Sequence, residues 1–154
     1  MNGADEKWME MALDLAHQAA ELGEVPIGAI VVRNRVVVGQ GYNRREVDVD
    51  PTAHAELIAI RETAQTLRNW RLDDCTLYVT LEPCIQCCGS IILSRIPRIV
   101  FGAEDPKAGG VRSLYHLLED GRLNHRAEIT GGVLADRCGA VLSAFFEGLR
   151  KTRR

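Results

Sequence analysis

The chain has 154 residues, about one ordinary domain and long enough to bury a sizeable core. Hydrophobic residues make up 46% and charged residues 26%, which excludes a disordered tail, a collagen-like fibre and a disulfide-stapled miniprotein. Net charge is −2, the longest uncharged run is Pro83 to Ser94, and the acidic start lacks a basic-then-apolar order, so neither a membrane helix nor a secretory leader is expected and the cytoplasm is the expected compartment.

Residues 5–22 place Trp8, Ala12, Leu15, Ala16, Ala19 and Leu22 at helical spacing, with Gly23 as the stop. Pro26 to Val32 and Val36 to Tyr42 are apolar runs joined at Asn34-Arg35, the pattern of a hairpin of buried strands. Gly39 and Gly41 in the second run allow a bend or a close approach. Asp48 to Thr52 is a polar loop, and a helix is expected from about Ala53 to Leu67, burying Leu57, Ile60, Ala64 and Leu67. Thr76 to Leu81 reads as a strand, and Pro83 suits the first position of the helix after it. Ile96 to Gly102 is strand-like, 103–113 is a surface loop, and Ser113 to Glu119 predicts a short helix. Ala127 to Thr130 predicts a last strand. Leu134 to Arg150 predicts a long helix with Leu134, Cys138, Val141, Leu142, Phe145 and Leu149 inward. This alternation predicts one α/β domain over 1–154, a mixed sheet flanked by helices. Strand order is not legible in it.

Charge is unevenly spread. Residues 1–24 hold six acids and one base, so the remainder carries a net +3. Arg150, Lys151, Arg153 and Arg154 crowd the end, where they suit either the helix dipole or a phosphate backbone. Of the five cysteines, Cys84, Cys87 and Cys88 fall within five residues, a poor disulfide framework and a better metal or catalytic cluster. Cys75, Cys88 and Cys138 are expected as small core residues.

The chemistry concentrates in His54-Ala55-Glu56 and Pro83-Cys84-Ile85-Gln86-Cys87. Imidazole and thiolate are the ligands zinc prefers. Cys84 and Cys87 share a face at a helix start, where the dipole favours thiolates. His54 stands at a second helix start, and the two starts can face one another across one metal ion. Three protein ligands leave a position for water, as in a catalytic zinc site, and Glu56 is the carboxylate that would move protons to and from that water. A closed structural zinc site with a fourth cysteine or histidine is the alternative.

His-x-Glu followed by Pro-Cys-x-x-Cys is the signature of zinc nucleobase deaminases. Further stretches carry a closer resemblance: Asp50-Pro-Thr-Ala-His-Ala-Glu, Thr76-Leu-Tyr-Val-Thr-Leu-Glu-Pro-Cys, Ser94-Arg-Ile, Val100-Phe-Gly-Ala, Asp105-Pro-Lys-Ala-Gly and Asn124-His-Arg. From about Trp8 to Phe146 the chain resembles bacterial tRNA-specific adenosine deaminases. The resemblance implies a cytidine deaminase-like three-layer α/β/α sandwich with a central mixed sheet, one Zn2+ per subunit, a homodimer, and conversion of the wobble adenosine of a tRNA anticodon loop, in an arginine tRNA, to inosine. It implies His54, Cys84 and Cys87 as metal ligands and Glu56 as the catalytic proton carrier. It implies Asn43 as a hydrogen-bond partner of the base, Pro26 and Ile27 as pocket wall, and Asp105 and Lys107 as RNA-loop residues. His125 and Arg126 match a family stretch that suits RNA contact or dimer packing. Two positions depart from the pattern: Gln86 stands where the family commonly has Met, and Cys88 where it has a small residue. The same residues would serve a deaminase of a free base or nucleoside such as guanine or cytosine. A non-catalytic zinc-stabilised RNA-binding module is the alternative of another class, and Glu56 argues against it.

Overall fold

A computed structural model describes residues 3–152. The elements are α1 (Gly3–Glu21), β1 (Gly28–Arg33), β2 (Val36–Tyr42), α2 (Ala55–Leu67), β3 (Thr76–Leu81), α3 (Ile85–Ser94), β4 (Arg98–Ala103), a short 3-10 turn (Leu117–Glu119), β5 (Glu128–Thr130) and α4 (Ala135–Thr152). One five-stranded sheet runs in the order β2-β1-β3-β4-β5. The pairs β2–β1 and β1–β3 are antiparallel, and β3–β4 and β4–β5 are parallel. Asn34 and Arg35 both take positive φ, 49° and 62°, which matches the twist of the β1–β2 hairpin.

The central strands are apolar without alternation because both faces are covered. Ala29, Val31, Leu77, Val79, Ile99 and Phe101 point to one side and pack with Ala55, Ala59 and Ile60 of α2 and Cys88, Ile91 and Ile92 of α3. Ile30, Val32, Tyr78 and Val100 point to the other and pack with Met9, Ala12, Leu13 and Leu15 of α1 and Cys138 of α4. The result is the expected α/β/α layering. Gly39 and Gly41 explain how α2 reaches β2: a Cβ at either would strike the α2 backbone, and at Gly39 also the Thr63 side chain. Cys75, Cys88 and Cys138 are core residues as the sequence suggests. On the α1 side, Asp5 is buried and receives both guanidinium nitrogens of Arg98 (3.1 and 2.8 Å) and the Tyr78 hydroxyl (3.0 Å).

Three local expectations change. Pro83 lies before the helix rather than in its first position, because Cys84 caps α3 and Ile85 opens it. The segment expected as a helix over Ser113–Glu119 is only the 3-10 turn at its end, since 111–113 is drawn down onto a buried carboxylate described below. In α4 only Cys138 is fully buried, Phe145 is half-buried and Leu149 is exposed, because the helix runs beyond the sheet. Arg153 and Arg154 of the basic tail lie outside the described residues, while Arg150 and Lys151 are exposed in the last turn of α4. Among the described residues no helix is long and apolar enough to cross a membrane.

Candidate active site

Sheet direction decides where the motif residues meet. β1 runs against β3 and β4, so the start of β1, the end of β2 and the ends of β3 and β4 share one edge of the sheet. The starts of α2 and α3 arrive at that same edge. Ligands in open α/β sheets bind outside such strand ends. A cavity of about 650 Å³ opens there. Its wall takes Val25 and Ile27 before β1, Asn43 and Arg45 after β2, His54 and Glu56 at α2, Glu82 and Cys84 after β3, and Glu104 to Ala108 after β4.

His54 is the N-cap residue of α2 and Cys84 that of α3. Both caps are extended, which turns their side chains out beyond the helix ends, while Cys87 comes up from the first turn of α3. His54 Nδ1 lies 3.5 Å from Cys84 Sγ and 3.5 Å from Cys87 Sγ. All three ligand atoms fall within 4.8 Å of one another, a group that could hold a metal ion. Tetrahedral zinc with bonds of about 2.0 Å to nitrogen and about 2.3 Å to sulfur sets neighbouring ligand atoms about 3.5 Å apart, so the donor set fits that metal in both chemistry and span. The thiol of Cys84 is pulled down to about 4, first by its hydrogen bond with Cys87 and then by His54. Cys87 is pushed up by donating to Cys84 and by burial. His54 is raised, chiefly by its hydrogen bond with Cys84. The three groups thus share protons that a metal ion would displace.

Glu56 is 4% exposed, and burial raises its carboxyl to about 7. A carboxyl titrating there can both take and give a proton near neutrality. Asn43 is buried at the wall, where its Nδ2 donates to the Val25 carbonyl (3.2 Å) and its Oδ1 accepts from the Arg45 amide (3.1 Å). These two bonds use one of its two amide N–H groups. Ile27 lines the cavity; Pro26 does not, being buried behind its two neighbours, and Val25 takes the place expected for it. Asp105 and Lys107 stand at the cavity wall, with Asp105 Oδ1 accepting the amides of Lys107 (3.1 Å) and Ala108 (3.2 Å). His125 is anchored away from the cavity by a hydrogen bond to the Ile96 carbonyl (2.7 Å), and Arg126 is exposed.

Gln86, the departure in the Cys-x-x-Cys motif, donates from Nε2 to the Thr52 carbonyl at 3.2 Å. That carbonyl also accepts the His54 amide at 2.7 Å. The first turn of α3 is therefore strapped to the turn that aims His54. Sequence reasoning missed, among other wall residues, a whole contributing element: Leu142, Ser143 and Phe146 of α4. Helical spacing marked Leu142 as inward but could not say that inward here means cavity rather than core.

The chain matches the MafB19-like deaminase family over residues 3–150. It is 50% identical to the tRNA-specific adenosine deaminase of Haemophilus influenzae over 151 residues, covering 97% of this chain and 87% of the relative. Identity to the tRNA-specific adenosine deaminase of Bacillus subtilis is 48%, covering 97% and 93%. A solved tRNA deaminase, described for A-to-I editing at the wobble position of transfer RNA, superposes with a TM-score of 0.85 at 38% identity, covering 88% of this chain and 99% of that one. By its full-length match to these relatives and its α/β/α fold, this chain belongs to the tRNA-specific adenosine deaminase family.

Proposed function

We propose that the protein converts the wobble adenosine of a tRNA anticodon, in an arginine tRNA, to inosine by zinc-dependent hydrolysis. The observation that carries this reading is a buried carboxylate beside a His/Cys/Cys group in one cavity, in a chain half identical to named tRNA adenosine deaminases. His54, Cys84 and Cys87 would hold one zinc ion per chain. When bound, zinc on three protein ligands lowers the pKa of a water toward neutrality and so supplies a nucleophile near pH 7.

The remaining work falls to the chain. Glu56 takes one proton from the attacking water and passes it to N1 of adenine as oxygen bonds to C6. It then carries the second proton to the amino group, the C6–N bond breaks, and ammonia leaves as C6 becomes a carbonyl. The second amide N–H of Asn43 holds the base, with Ile27 and Val25 against its face and Pro26 backing them. Asp105 and Lys107 meet the flanking nucleotides. The base must leave any stack to enter such a cavity, and an anticodon loop already presents unpaired bases. We also propose a homodimer: Ile85 and Leu93 of α3 are 57% and 71% exposed, apolar surface that a second copy would cover.

The test is an inosine assay on zinc-loaded protein. An arginine tRNA transcript with adenosine at the wobble position is run beside free adenosine, guanine and cytosine. Inosine in the tRNA alone is expected. Deamination of a free base instead would reassign the substrate and keep the site; turnover of nothing by metal-replete protein would favour a binding module.

A further inference from the structure

We infer that Glu82 is a positioning residue for the loop that presents Asp105, Pro106, Lys107 and Ala108 to the substrate. Glu82 follows β3 directly, two residues before Cys84, and is 2% exposed. None of the hydrogen bonds its carboxylate is shown accepting comes from a cation. Its Oε1 accepts the amide of Asp105 (3.0 Å) and the hydroxyl of Ser113. Its Oε2 accepts the amides of Val111 (3.1 Å), Arg112 (2.7 Å) and Ser113 (2.9 Å). One side chain thus gathers the first and last turns of the loop. Gly109 completes the wrap, since a Cβ there would overlap the carboxylate.

Between Glu104 and Ala108 the loop has no apolar anchor of its own: Glu104, Pro106, Lys107 and Ala108 are all exposed. The loop also lies against the metal-ligand turn, through the bridge of Cys84 with Gly109 and the bond from the Gly110 amide to the Pro83 carbonyl (2.8 Å). A buried carboxylate is a costly way to end a strand when an apolar side chain would fill the same space. What it provides is a fixed shape for five wall residues of the cavity. Glu82 itself moves no proton in the reaction.

This inference rests on the cavity being the place where a tRNA nucleotide binds. The test compares wild type and Glu82→Gln in zinc content, amide exchange, and KM and kcat on an arginine anticodon stem-loop. An amide NH2 in place of one oxygen faces backbone N–H groups and leaves them unpaired. The amides of Asp105 and 111–113 should then exchange about tenfold faster or more, and KM should rise by about the same factor, with kcat within about threefold and zinc still at one per chain. Ser113→Ala removes one bond of five and should raise KM by about two- to fourfold in a fully folded protein. An unchanged KM in Ser113→Ala, or in a folded Glu82→Gln whose loop amides exchange faster, overturns the inference. So does a loss of zinc and kcat with KM intact. Wild type that never deaminates the stem-loop would instead remove the functional reading, and exchange would still report whether Glu82 holds the loop.

Discussion

Glu56 and the ligand group depend on each other. Glu56 is held at about 7 by burial, so in the metal-free protein it binds a proton between its ordinary value of 4.5 and about 7 that the unfolded chain has released. Its contribution to the stability of the metal-free fold should therefore fall as pH rises through that window, while the Cys84 thiol, held at about 4, contributes with the opposite sign, so the Glu56 part is read as a wild-type-minus-Glu56→Ala difference that declines toward pH 7. Thermal melts of metal-free protein from pH 5 to pH 8 check this. In the zinc-loaded enzyme, Glu56→Ala should keep the metal and lose about 10²- to 10⁴-fold in inosine formation; wild-type turnover in that variant would remove its proton-carrying role. Gln86 acts one step further out. Gln86→Leu keeps the volume but removes one of the two hydrogen bonds to the Thr52 carbonyl, and loss of such an outer contact should speed zinc release to a chromogenic chelator by about tenfold. Release at the wild-type rate would mean the strap does not steady His54.

Two contacts between elements have opposite meanings. The Asp5–Arg98–Tyr78 cluster pins α1 to β3 and β4, and Arg98 also reaches Thr130 of β5 at 3.2 Å. The Arg98 guanidinium holds the Asp5 carboxyl below its ordinary 3.8 against the opposing effect of burial, with the Tyr78 hydroxyl adding to it. The folded-state value is depressed, so the contribution is complete above the ordinary value and is lost as acid protonates the group. Asp5→Ala should cost about 2–3 kcal/mol at pH 7 and should narrow its deficit against wild type below pH 4, read by denaturant titration at both pH values. By contrast, α4 contributes little burial in its second half. Leu142, near the middle of the helix, and Phe146 beyond it wall the cavity instead, so that stretch belongs to the cavity more than to the core.

At the scale of the whole molecule, the exposed apolar side chains of α3 point to assembly. Leu93→Glu should convert a homodimer to monomers in sedimentation at micromolar concentration with the thermal midpoint of the monomer fold kept; a wild-type chain that already sediments as a monomer would sink the proposal. Much of the fold was legible beforehand. The short apolar runs mark β1 to β4, and the helical spacings mark α1, α2 and α4, because those patterns answer directly to local geometry and burial. His54, Glu56, Cys84 and Cys87 could be singled out because their residue types are rare together and their spacing places them at helix starts. Local signals failed where a contact from far along the chain set the outcome. The carboxylate of Glu82 draws in the segment after Gly109, which local spacing reads as the approach to a helix. The three-residue packing of Val25, Pro26 and Ile27 decides which of them meets the cavity. The sequence by itself determined the layers and the His/Cys/Cys group with its neighbouring carboxylate, since each depends on residue chemistry and short-range periodicity. Only the tertiary structure decided the strand order, the shared sheet edge that brings His54 to within 3.5 Å of two thiols, and the amides gathered on Glu82. Those rest on hydrogen bonds and directions of strands separated by tens of residues, which no local pattern encodes.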